Sequence, residues 1–388
     1  MTALSTVSVA RPALAAFAAM GIVWGTFAAV LPDLKLVLGV DEARLGLLML
    51  MTPIAAVLAM LVAPAVGVAL GRVALPLATA TMALAFALPG QATASLLLFP
   101  VAMMACGAGT GLTDVLMNAR VATLETQRNL QLMNLSHAAY SFGYAGGALL
   151  TGALRTAEWS PAWVMGAMSG VALMLALLSI ERDGTIVGLA KPKDGSRGHL
   201  GLVPVIGGAI VLIAFMTENA AENWSALHIE KTLGGSPAEG AMGPALLALT
   251  MGFARLAGQG IASRTSPLLL LRAGAIISAV GALVAALASV PAMAYAGFFI
   301  MGIGSSVIAP TAFTLVGRYA PADARARAVA RATLLGYFGY FFGPPTLGFL
   351  AGLFGLRAAF VFAAVMLLTI LALAPLMIRR GSGAALAH

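Results

Sequence analysis

Apolar runs of about 20 residues, the length a helix needs to cross a bilayer, recur along the whole chain between short polar breaks. Twelve helical spans are predicted, at 12–34, 44–70, 73–91, 94–122, 131–154, 160–180, 200–226, 238–262, 267–289, 292–317, 328–352 and 355–378. Several contain Gly and Pro, which membrane helices tolerate. The third and fourth spans are separated by one turn signal only, Pro89-Gly-Gln-Ala-Thr93. The longest polar connection is Glu181–His199, with Arg182, Lys191, Lys193 and Arg197. It divides the chain into a bundle of six spans at 1–180, a central loop at 181–199 and a second bundle of six at 200–388. The first apolar run begins near Pro12 and reads as a spanning helix rather than a cleavable signal peptide.

Composition removes the soluble alternatives. Hydrophobic residues make up 61% and charged residues 9% of 388 positions, against roughly 25% charged in a soluble domain. Such a chain cannot hide its apolar surface in one core and belongs in a bilayer. With one cysteine, Cys106, it can form no intramolecular disulfide, and its four scattered histidines suggest no metal site and no cofactor.

The net charge of +8 does not signal nucleic acid. With the N-terminus inside, 17 of the 22 lysines and arginines fall on the cytoplasmic side. Only Lys35, Arg44, Arg155, Lys231 and Arg357 fall on the other. That bias predicts both termini in the cytoplasm and makes the basic stripes topology signals and lipid-phosphate contacts.

The two halves repeat. Gly107-Ala-Gly109 in the fourth span matches Gly302-Ile-Gly304 in the tenth, 195 residues on. Leu38-Gly39 matches Leu233-Gly234 at the same offset of 195. Gly71-Arg72 corresponds to Ser263-Arg264, and Tyr140-Ser-Phe-Gly143 to Tyr337-Phe-Gly339. Parallel repeats of this kind place a binding site between two similar bundles, near mid-bilayer.

With its twelve spans, two repeats, long central loop and short basic loops, the chain resembles the major facilitator superfamily over its whole length. The family's loop signature, Gly-x-x-x-Asp-Arg-x-Gly-Arg, is degenerate here. Gly67-Val-Ala-Leu-Gly-Arg72 lacks the aspartate, and Arg255-Leu-Ala-Gly-Gln-Gly-Ile-Ala-Ser-Arg264 is the closer echo. Arg72, Arg120, Arg255 and Arg264 are the candidate gating residues on this resemblance. Three strings narrow the match: Gly111-Leu-Thr-Asp-Val-Leu-Met-Asn118, Met133-Asn-Leu-Ser-His-Ala-Ala-Tyr-Ser-Phe-Gly143 and Thr217-Glu-Asn-Ala-Ala-Glu-Asn-Trp-Ser225. They are similar to the YbjJ-like bacterial inner-membrane permeases, relatives of fucose permease. This resemblance implies the fold and proton-coupled transport, but no particular substrate. The drug-antiporter string Gly-x-x-x-Gly-Pro is absent from the fifth span and occurs in the eleventh, as Gly339-Tyr-Phe-Phe-Gly343-Pro344.

Carboxylates inside apolar spans are costly unless they face water, a partner or an ion. Asp114 lies midway through the fourth span with Asn118 one turn on. It suits a proton carrier or a substrate hydrogen bond, or else a helix contact or a charge pair with Arg120 or Arg72. Glu218 and Glu222 share one face of the seventh span. They suit a coupling site or a cationic ligand, unless Glu222 is a solvated residue of the outer mouth. Asn219, Asn223 and Trp224 extend that lining, with Trp224 alternatively an interfacial anchor. Asn134, His137, Ser141 and Tyr144 form one polar stripe on the fifth span. Tyr140, Tyr337 and Tyr340 suit a sugar or ring platform, or plain packing. Gly143, Gly146 and Gly147 suit close helix approach. Asp33 reads as solvated.

No Ser/His/Asp set, phosphate-cradling loop or metal cluster appears, which argues against an enzyme or an ATP-driven pump. The expected function is a proton-coupled secondary transporter of a small polar solute, sugar-like or another metabolite. It would act as a monomer in the bacterial inner membrane, with solute, protons and lipid as its partners. The alternatives are an exporter on the same fold and a non-transporting membrane receptor or assembly factor.

Overall fold

The computed structural model describes residues 3–92, 95–187, 189, 200–262, 264–320 and 324–385. Most of the long central connection, including Lys191, Lys193 and Arg197, lies outside them.

All regular structure among the described residues is helical. The helices are α1 (Ala3–Leu38), α2 (Glu42–Met49), α3 (Met51–Leu70), α4 (Ala74–Ala85), α5 (Leu88–Gln91), α6 (Leu98–Arg128) and α7 (Met133–Thr156). Then follow α8 (Pro161–Leu178), α9 (Val203–Leu227), α10 (Pro237–Ala262), α11 (Pro267–Leu287), α12 (Pro291–Tyr319), α13 (Arg325–Phe354) and α14 (Leu356–Ala385). Each expected span is occupied by helix. Nine helical stretches among the described residues are long and apolar enough to cross a membrane. One of them, Glu42–Gln91, runs through both the second and third expected spans. The helices α7 and α13 fall outside that set; α7 carries Asn134, His137, Ser141 and Tyr144, and α13 carries three arginines, two prolines and repeated glycines.

Local chemistry explains the boundaries that differ from expectation. The second span is split at Leu50 into α2 and α3, and α2 starts where the Asp41 carboxylate accepts the Arg44 backbone N–H at 2.8 Å. A side-chain acceptor there satisfies an otherwise orphaned amide. The third span ends in the four-residue α5, with Pro89 in its first turn. The fourth begins at Leu98 rather than 94 and runs on to Arg128. The seventh continues past Leu227 into a wide turn, His228–Thr232.

The sequence repeat has a packing counterpart. Gly39 and Gly234, 195 residues apart, both adopt positive φ, 64° and 72°, directly after the first long helix of each half. Glycine takes that conformation without a Cβ clash. A Cβ at Gly107 would collide with the Thr52 backbone of α3, and one at Gly109 would press on Met82 of α4. Correspondingly, Gly302 meets Leu247 and Thr250 of α10, and Gly304 meets Gly274 and Ser278 of α11. Small residues are what allow membrane helices such close backbone approach.

The α1–α7 pair is interlocked in the same way. Gly21 and Gly25 lie against the Tyr140 and Tyr144 carbonyls, while Gly143 and Gly147 lie against those of Ala18 and Ile22. Gly146, expected to share this role, faces open space instead.

Candidate functional site

Two polar layers join helices that are distant in sequence. The first lies midway along α6. Asp114 sits at the centre of the 31-residue α6. Its Oδ2 accepts a hydrogen bond from the Tyr337 hydroxyl of α13 at 3.1 Å, and its Oδ1 accepts from Asn118 Nδ2 at 3.1 Å. The Tyr337 ring centroid is 6.0 Å from Phe215 of α9, and Tyr340 stacks on Phe215 at 4.7 Å. The tyrosines are thus held against α9, with one hydroxyl directed to the α6 carboxylate.

On α9, Glu218 lies 3.7 Å from the Arg255 guanidinium of α10. Arg255 also donates to Ser141 Oγ of α7 at 3.3 Å. Arg255, counted with the basic residues of the cytoplasmic side and a candidate gate, lies inside α10. Within α10, its long stem carries the charge back to the site. Glu222, one turn beyond Glu218 and half-buried, has no hydrogen bond or ion pair among the described residues.

Several other polar side chains of α9 lack partners among the described residues. Asn219 Oδ1 and Trp224 Nε1 are buried and have no hydrogen-bond partner among the described residues. Asn223 donates to the Asn219 carbonyl at 3.4 Å. Trp224 is fully buried with its indole rim against Gly348 of α13, so the interfacial-anchor reading does not hold. An unpaired buried polar group costs free energy, and a solute that hydrogen-bonds to these atoms would recover it.

On α7, Ser141 reaches Arg255, Tyr144 is buried with its ring 6.0 Å from Tyr140, and His137 packs edge-on to Phe17 at 5.1 Å. Asn134, one turn before His137, is partly buried.

The second layer lies where α1, α7 and α9 end, and the sequence reading missed it. The Arg155 guanidinium uses all five N–H donors. Its Nε and Nη2 donate to the two Asp33 carboxylate oxygens at 2.7 and 2.6 Å. Its Nη1 and Nη2 donate to the two Glu230 oxygens at 2.7 and 2.9 Å, and Nη1 also donates to the Ala29 carbonyl at 2.7 Å. The Arg155 side chain is 1% exposed. Asp33, expected to be solvated, is therefore held as an ion-pair partner.

Beside this cluster Glu42 pairs with Lys231 and, at 3.4 Å, with Lys35. Arg155 and Glu42 come from the first half of the chain, Glu230 and Lys231 from the second. A signal was present in the sequence: Lys35, Arg155 and Lys231 are three of the five basic residues outside the main charge bias.

Of the remaining arginines expected to gate, Arg120 is held by Glu181 at 2.7 and 2.8 Å and by the Asp183 and Thr185 carbonyls. These partners all lie at the start of the connection after the first bundle, and none is Asp114. Arg72 and Arg264 are exposed, with no hydrogen bond or ion pair among the described residues.

The family model described as Major Facilitator Superfamily matches residues 13–277 and again 207–385. An uncharacterized MFS-type transporter of Yersinia pestis is 31% identical over 372 residues, covering 92% of each chain. A bacterial homologue of the human lysosomal transporter Spinster, solved inward-facing and unoccupied, superposes with a TM-score of 0.73 at 15% identity, covering 99% of both chains. A D-xylose–proton symporter superposes with a TM-score of 0.70 at 15% identity, covering 97% of this chain and 98% of the other.

Proposed function

The chain belongs to the major facilitator superfamily and is a membrane transporter rather than an enzyme, and from that premise we propose that it is a proton-coupled secondary transporter of a small polar organic solute. Twelve spans form two six-helix bundles, 1–180 and 200–388, with the connection 181–199 and both termini on the cytoplasmic face of a bacterial inner membrane. The bundles rock about the mid-depth layer, exposing it to one side at a time.

One observation carries this reading: the Asp114 carboxylate meets the opposite half of the chain midway along α6 while a separate ionic layer fastens the two halves at one end. Asp114 reaches Tyr337, and Arg155 reaches Glu230. Polar contacts at these two depths suit a solute site and a gate above it. Asp114, Glu218, Glu222 and His137 are the proton-handling candidates. Asn118, Asn134, Tyr140, Ser141, Tyr144, Asn219, Asn223, Trp224, Tyr337 and Tyr340 supply hydrogen bonds and ring surface to the solute. Arg255 links the α7 and α9 sides of the site. The Arg155 and Glu42 clusters close the outer end in the state described. A xylose–proton symporter among the similar folds is compatible with sugar-like cargo and a proton as the driving ion.

Proteoliposomes with an imposed pH gradient test the function. Acidic outside medium drives accumulation of the solute identified in a metabolite thermal-shift screen. Accumulation driven by the reverse gradient identifies an exporter, and absence of flux for every solute that stabilises the protein identifies a receptor. Cysteine labelling tests the topology: a probe at Asp183 reacts only from inside and one at Gly235 only from outside.

A further inference from the structure

We propose that a groove at the cytoplasmic end of the first bundle is a binding site for an anionic phospholipid. It lies between α1, the Gly71–Val73 turn leading into α4, and the chain leaving α8, with a volume of about 630 Å³. Its charge comes from Arg11, Arg72 and Arg182, and its apolar wall from Val73, Leu77 and Ile180.

The charge is available for a ligand. Arg11 donates through Nη2 to the Ile180 carbonyl at 2.8 Å, which orients its guanidinium at the groove. Arg72 and Arg182 have no hydrogen bond or ion pair among the described residues. The acidic residue in the lining, Glu181, is engaged through both oxygens by Arg120. Three guanidiniums therefore face the groove with no free carboxylate to neutralise them among its described lining residues. The planar fork of arginine suits bidentate recognition of a phosphate.

The wall selects the kind of phosphate. Val73, Leu77 and Ile180 are 43%, 47% and 55% exposed, and they adjoin the level at which the first apolar run begins. A soluble anion would use the arginines and leave this wall bare. A fatty acyl chain without a headgroup phosphate would leave the arginines unused. A phosphodiester carrying acyl chains matches both surfaces, and basic pockets between helices at the cytoplasmic boundary recognise such headgroups. The site also touches the start of the connection between the bundles: Gly184 packs on the Arg72 backbone, and Arg120 holds the Asp183 and Thr185 carbonyls. A bound lipid would pin that connection to α1 and α4. The proposal requires only membrane embedding and stands whether or not protons drive transport.

Native mass spectrometry of the purified full-length protein tests it, titrating cardiolipin or phosphatidylglycerol against phosphatidylcholine. The wild type retains the anionic lipids selectively. Arg72→Ala combined with Arg182→Ala lowers their affinity on the order of 30-fold, at about one kilocalorie per basic side chain near a membrane surface. Arg44→Ala, an exposed arginine at the other end, leaves affinity unchanged. The thermal midpoint without lipid stays at the wild-type value in both variants, and cardiolipin raises it only in the wild type and Arg44→Ala. If the double alanine variant does not purify, Arg72→Gln with Arg182→Gln gives the same reading. Equal retention of phosphatidylcholine, undiminished cardiolipin binding by the double variant, or displacement of the lipid by inorganic phosphate at matched concentration overturns the proposal.

Discussion

Tyr337 donates its hydroxyl proton to Asp114 across 223 residues of sequence, a 3.1 Å contact between α13 and α6. The bond joins the two halves of the chain at the centre of α6, so it must break or lengthen whenever the halves separate there. Asp114→Asn keeps the side-chain shape and a hydrogen-bonding group but cannot release a proton. It abolishes accumulation driven by a pH gradient while expression and thermal midpoint hold. Tyr337→Phe removes only the hydrogen bond, a contact of about 1.5–3 kcal/mol when one partner is charged. It shifts the balance of conformations and lowers the rate, yet leaves accumulation coupled to protons. Uptake assays in proteoliposomes separate the two variants. Wild-type accumulation by Asp114→Asn would make that carboxylate a structural residue.

Glu218 and Glu222 have unequal surroundings, which predicts unequal consequences. Glu218 has the Arg255 guanidinium at 3.7 Å, whereas Glu222 has no ion-pair partner among the described residues. Glu222→Gln uncouples transport: exchange between equally loaded sides continues and uphill movement stops. Glu218→Gln leaves Arg255 without its counter-charge and weakens solute binding by about tenfold, roughly 1.4 kcal/mol, less than the loss of one member of a fully buried pair. Both variants are measured in exchange and uphill modes. Wild-type behaviour of both in both modes removes α9 from the mechanism and leaves Asp114 and His137.

Arg155 is the common partner of Asp33 and Glu230, and its removal brings two carboxylates together without their cation. Breaking a buried pair on one side costs about 3–5 kcal/mol. Arg155→Met therefore opens that end. Spin labels at Leu36→Cys and Ser236→Cys, both exposed positions, in a Cys106→Ala background report a longer distance than in the otherwise unchanged protein. An unaltered distance distribution would show that the cluster does not hold the halves together.

Gly25 and Gly146 provide a matched pair for packing. Gly25 lies against the Tyr144 carbonyl, whereas nothing stands within 4 Å of a Cβ at Gly146. Gly25→Val forces α1 and α7 apart and costs about 1–3 kcal/mol or more, as overpacking does, so the thermal midpoint falls by several degrees. Gly146→Ala changes it little and can raise it, since alanine favours the helix. Unfolding followed in detergent checks both.

The chain's own order of residues determined the broad architecture. A span is a run of apolar residues, readable in one dimension because lipid forces each backbone segment to satisfy its hydrogen bonds internally. The repeat was legible for a similar reason: Gly107 and Gly302 serve the same local approach in each half. Asp114, Glu218 and the α7 stripe stood out because polar residues are expensive in such runs. Partners were decided only by the tertiary structure. Asp33 looked solvated from its neighbours, and nothing near it in sequence announces Arg155, 122 residues away. Arg120 belongs to Glu181, Arg255 points to Ser141 and Glu218, and Trp224 turns inward. Hydropathy and charge bias constrain a residue's depth and side of the membrane. Which side chains meet depends on helix rotation and crossing, set by many small packing contacts that no short stretch of sequence contains.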